Sequence, residues 1–69
     1  MNWNLEGLTV EGMYLGDYPV KGRVELSRVA YGGSIKHTVY LREGINLFGR
    51  YRDRVILDHE SVTKVMSNG

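Results

Sequence analysis

The chain has no cysteine and only one proline, one tryptophan and one phenylalanine. Without cysteine there is no disulfide framework, no thiolate metal site and no cysteine nucleophile. That absence fits a reducing, cytoplasmic setting. No apolar run comes near the about 20 residues that a membrane-crossing helix needs, so no membrane partner is expected. Met1-Asn2-Trp3-Asn4-Leu5-Glu6 lacks the basic start and apolar stretch of a secretory signal. An excess of charge is also missing. Nine Lys and Arg stand against eight Asp and Glu, a formal net charge of +1. Dedicated nucleic-acid domains usually have a pI above about 9, and this chain has one near 8.1.

What is present is short and rich in glycine. Sixty-nine residues make one domain spanning 1–69, with residues 1–6 and 67–69 expected to fray. A core of this size supplies about 3–5 kcal/mol, which leaves little margin for a deep active-site cavity. Small domains recover stability by disulfides, metals or self-association, and the first is excluded here, so a homo-oligomer is expected. Nine Gly punctuate the chain, and few helices survive that spacing. Between the glycines the residues are Val, Ile, Tyr, Thr and Leu, which favour strands.

The alternation predicts strands over 8–15, 20–31, 35–41, 45–48, 50–57 and 62–66. Gly16-Asp17-Tyr18-Pro19 reads as a turn, and Gly32-Gly33 as a tight hairpin. Glu43-Gly44 reads as a connection, and Asp58-His59-Glu60-Ser61 as a polar corner of one helical turn. In the second strand Val20, Gly22, Val24 and Leu26 share a face, after which Val29 falls at the wrong parity. A one-residue slip flips every side chain, so a bulge is expected near Ser27-Arg28. The fold class is all-β: a small five- to six-stranded, strongly bent antiparallel barrel, Src-homology-3-like, with little or no helix. A five-stranded oligonucleotide-binding barrel is the nearest alternative.

Several constellations carry candidate chemistry. Arg50, Arg52 and Arg54 share one strand face, and planar guanidinium forks suit phosphate or carboxylate. Arg42 and Lys36 extend that patch if the third strand lies close. Gly32 and Gly33 leave backbone N–H groups open to an anion, with Lys36 and His37 beside them. Against these stand plain readings: a solvated Arg face, an ordinary hairpin, and His37 as a core histidine bonded to a backbone carbonyl. Tyr31, Tyr40 and Tyr51 are aromatic contact candidates, alongside a reading in which Tyr only caps a thin core. His37 and His59 fall short of a metal set, which needs three or four convergent ligands. No serine carries a nucleophile signature, so no catalytic residue, metal or cofactor is expected, and the chain reads as a binding protein rather than an enzyme.

Val20-x-Gly22-x-Val24, Ser27-Arg28-Val29-x-Tyr31-Gly32-Gly33, His37-Thr38-Val39-x-Leu41 and Gly49-x-x-Arg52-x-x-Val55-x-Leu57 together resemble small bacteriophage all-β proteins. That family has no settled activity, so the resemblance carries over no functional residue. It implies an accessory viral protein acting in the host cytoplasm on a host component. The function expected is a non-enzymatic binding module that self-associates and sequesters an anionic, nucleotide-like ligand, such as a host immune signal. The alternatives are a nucleic-acid-binding small barrel and an inhibitor docking on a host protein.

Overall fold

Alternating apolar and polar residues between glycine-marked turns build five antiparallel strands in one sheet, with almost no helix. The structure is a computed structural model that describes residues 3–66. The strands are β1 (Thr9–Tyr14), β2 (Tyr18–Val29), β3 (Ile35–Leu47), β4 (Arg50–Asp58) and β5 (Val62–Met66). The sheet order is β4-β3-β2-β1-β5. A single 3-10 turn, His59–Ser61, joins β4 to β5, as the polar corner predicted. The predicted fraying segment 67–69 lies outside the described residues.

The sheet curves around Val10, Val20, Val24, Val39, Leu41, Val55 and Leu57, which come from four strands and are all buried. Leu5, expected in a fraying end, joins this cluster. Two glycines set the curvature by close approach. A Cβ on Gly12 would sit 2.7 Å from the Ser61 carbonyl oxygen and 2.9 Å from Leu57 Cδ1. A Cβ on Gly22 would overlap the Tyr40 carbonyl oxygen and sit 2.8 Å from Val39 Cγ1. Only glycine lets β4 and the final corner fold onto β1, and β3 cross β2. The outermost strands, β4 and β5, share no ladder, and the molecule measures 37 × 33 × 17 Å, so the sheet is bent without being closed.

Three local expectations are corrected. The bulge lies at Glu25, between Val24 and Leu26, rather than near Ser27-Arg28. Leu26 is therefore outside, at 45 % exposure, while Ser27 is buried. The reason is polar pairing: the bulge turns Ser27 inward, where it meets the buried His37. Ile35–Leu47 form one long bent strand rather than the two expected over 35–41 and 45–48, because Gly44, at φ 66, bends the chain without ending it. Pro19 belongs to β2, opposite Met13, instead of closing the first turn. It is tolerated there because β3 begins to pair with the other side of β2 only at Arg23.

The turns follow the glycines. At Gly32-Gly33 both φ angles are +90°, and the Gly33 N–H donates to the Ala30 carbonyl at 3.0 Å. The β1–β2 and β3–β4 turns use Leu15-Gly16 and Phe48-Gly49, all four at positive φ. Leu15 and Phe48, at φ 54 and 52, are the non-glycine residues of this kind among the described residues. A left-handed conformation costs such a residue about 1–2 kcal/mol.

Candidate functional site

The β2–β3 ladder runs from Val29 opposite Ile35 to Arg23 opposite Tyr40, then stops. Beyond that level β2 pairs only with β1, and β3 resumes pairing with β4 at Ile45 opposite Arg52. The two strands part and leave an open groove of about 890 Å³. Lys21, Gly22 and Arg23 line one side, and Tyr40, Arg42 and Glu43 line the other. Among the described residues none of Lys21, Arg23 and Arg42 takes part in an ion pair. Three cations against the single Glu43 carboxylate leave the groove electropositive. Their heads keep the donors that carboxylate and phosphate oxygens accept.

The other predicted anion ligands have different surroundings. Lys36 is ion-paired with Asp58, its cross-strand neighbour on β4. Arg54 donates to Glu25 at 2.8 and 3.5 Å and to Asp53 at 3.5 Å. Its guanidinium carbon lies 5.1 Å from the centre of the Tyr40 ring. The hydrogen bond that Arg54 donates to Glu25, then the Glu25 charge, raises the Arg54 pKa further. Arg50 and Arg52 are exposed on β4, outside the groove lining, and carry no ion pair among the described residues. Tyr51 packs its ring over Gly44 and remains 63 % exposed. Gly32, Gly33 and the fully exposed Tyr31 form the turn at the opposite end of the sheet from the groove. Of the predicted set the structure thus brings Arg42 and Tyr40 together, and adds Lys21 and Arg23. Lys21 and Arg23 alternate with Val20, Gly22 and Val24 in the sequence, but nothing local marks them as anion ligands.

A buried polar chain occupies the opposite end. Ser27 Oγ lies 2.7 Å from His37 Nδ1, and His37 Nε2 lies 2.8 Å from His59 Nδ1. The Leu5 N–H donates to Ser27 Oγ at 3.1 Å, and the Ser27 N–H donates to the Glu6 carboxylate at 2.9 Å. One hydrogen order gives the serine hydroxyl hydrogen an acceptor: Ser27 donates to His37, and His37 donates to His59. Burial, then the neighbouring His59, pushes the His37 pKa below the ordinary histidine value. His37 is a core histidine, as one reading expected, but its partners are side chains rather than a backbone carbonyl. The chain ties the N-terminal segment and the 3-10 corner to the sheet. Ser27 is buried and engaged on both sides, by the Leu5 N–H and by His37.

Among the described residues no group of three or more His, Asp or Glu side chains could hold a metal ion, and no helix is long and apolar enough to cross a membrane. No family model, curated protein or solved structure matches the chain.

Proposed function

We propose that this protein is a non-enzymatic binding module of the phage-accessory type, which self-associates and holds an anionic, nucleotide-like ligand in the groove between β2 and β3. The observation that carries this reading is the meeting of Lys21, Arg23 and Arg42 beside Tyr40, with no ion pair to any of the three cations among the described residues. Arg42 and Arg23 supply planar forks for phosphate, Lys21 a mobile point charge, and Tyr40 an aromatic edge. Sequestration needs tight holding and no bond-breaking. A cytoplasmic location goes with it.

The same proposal reads the bent sheet as a Src-homology-3-like barrel. Support comes from the strand order, the 3-10 turn before the last strand, and Leu57 of β4 lying over Gly12 of β1. A second copy would shield the open edges of β4 and β5. Titration calorimetry with cyclic and ADP-ribose-type nucleotides tests the ligand. Heat that is reduced in Arg42→Ala is the expected result. A folded protein that gives no heat with any member of the panel overturns the reading.

A further inference from the structure

The two turns at the groove end share an unusual construction. β1 and β3 run in the same direction, so the β1–β2 and β3–β4 turns lie at one end of the sheet and the β2–β3 turn at the other. Each of these two turns opens with a bulky apolar residue in the left-handed region, Leu15 in one and Phe48 in the other. Asn, Asp or Gly would suit those positions without strain. Neither side chain is hidden by way of compensation: Leu15 is 59 % exposed and Phe48 84 %. The choice is thus unfavourable twice over, in backbone and in hydration, at two equivalent places. The groove with Lys21, Arg23 and Arg42 runs between the strands that lead to these two tips.

We infer that this end of the sheet docks on an anionic lipid surface, with Leu15 and Phe48 entering the boundary between headgroups and acyl chains. Lys21, Arg23, Arg42 and the exposed Arg50 then meet lipid phosphates and carboxylates. The inference rests on the groove being an anion site, and it adds lipid headgroups as a second source of anion beside a soluble nucleotide. Lys21, Arg23, Arg42 and Arg50 outnumber Asp17 in the first turn and Glu43 in the groove, so charge complementarity selects an anionic surface. The form of the apolar part selects a bilayer, because two tips on separate hairpins make no single patch. A fluid bilayer accepts both without matched pockets, whereas a folded partner must supply a pocket for each. Tyr18 and Tyr51, 39 % and 63 % exposed just beyond the two turns, have the amphipathic rings that suit the headgroup layer. No spanning segment is needed, since shallow docking depends on a few buried apolar groups plus charge. The absence of a long apolar run therefore does not bear on it.

The test is co-sedimentation of the full chain with vesicles of phosphatidylcholine alone and of phosphatidylcholine mixed with phosphatidylserine. The chain should bind the mixed vesicles and release them as salt rises, and should ignore phosphatidylcholine alone. In the double variant Leu15→Asn with Phe48→Asn, vesicle binding should drop by more than about tenfold. Asparagine adopts the left-handed region readily, so this variant should melt no lower than the parent. It should also keep the parent's heat with soluble nucleotides. Failure of the parent to bind mixed vesicles, or equal binding by the double variant, overturns the docking. Nucleotide heat without vesicle binding removes the docking and leaves the groove reading standing; absence of both removes both.

Discussion

Around His37 the strands β2, β3 and β4 stay paired, with one bulge at Glu25, and no buried side-chain polar atom among the described residues lacks a hydrogen-bond partner. Past Tyr40 the register breaks, Leu41–Gly44 face no ladder partner, and three cations stand without ion pairs among the described residues. Glycines, turns and charged residues occur in both regions. The difference lies in what their neighbours do. Where strands stay paired, Lys36 and Arg54 are neutralised by cross-strand carboxylates. Where strands part, Lys21, Arg23 and Arg42 keep their donors for something else. Ion pairing alone does not separate the two regions, since Arg50 and Arg52 on β4 are also without ion pairs among the described residues; unpaired cations and open space coincide at the groove.

The largest expected effect comes from the place where the two regions meet. Gly22→Ala forces a Cβ into the Tyr40 carbonyl, which is backbone and cannot swing away. The loss should reach about 3 kcal/mol or more, comparable with the whole stability of so small a domain. Urea unfolding should find the variant largely unfolded. A variant that melts like the parent would show that the crossing of β2 and β3 is not tight.

His37→Ala attacks the paired region alone and should cost about 2–4 kcal/mol, through a cavity and a broken polar chain. Its signature is in the pH dependence. The folded-state pKa of His37 is lowered, so below the ordinary value of about 6.5 the unfolded chain binds a proton that the folded chain refuses. The parent's stability should therefore be complete above that pH and fall as acid is added toward the lowered folded pKa. Urea midpoints measured across that window should flatten in His37→Ala. An unchanged slope would assign the acid sensitivity to another group.

The smallest effects on the fold separate the two kinds of cation. Arg42→Ala should weaken nucleotide binding severalfold with no change in melting temperature, while Arg54→Ala should leave nucleotide heat unchanged. Surface ion pairs such as Arg54–Glu25 contribute little to stability, so Arg54→Ala should hardly move the melting curve either. Nucleotide binding lost in Arg54→Ala would shift the site onto β4.

Much of the fold was legible because the signals were local. The alternation in Thr9–Tyr14, the paired glycines at 32 and 33, the polar corner at 58–61 and the short last strand each depend on neighbours in sequence. Leu26 misled because an apolar residue one step from Val24 looks like core until His37 claims the inward place for Ser27. The site was half legible. Arg42 and Tyr40 stood out by type, whereas Lys21 and Arg23 gained meaning only once β3 left β2.

The sequence by itself determined most of the strands, the glycine turns and the near-balance of charge, because periodicity and glycine act within a few residues. The tertiary structure decided which cations are paired, which histidine is buried, and that the first and third turns share an end. Those outcomes depend on register and on close crossings at Gly12 and Gly22, where atoms far apart in the chain meet within contact distance.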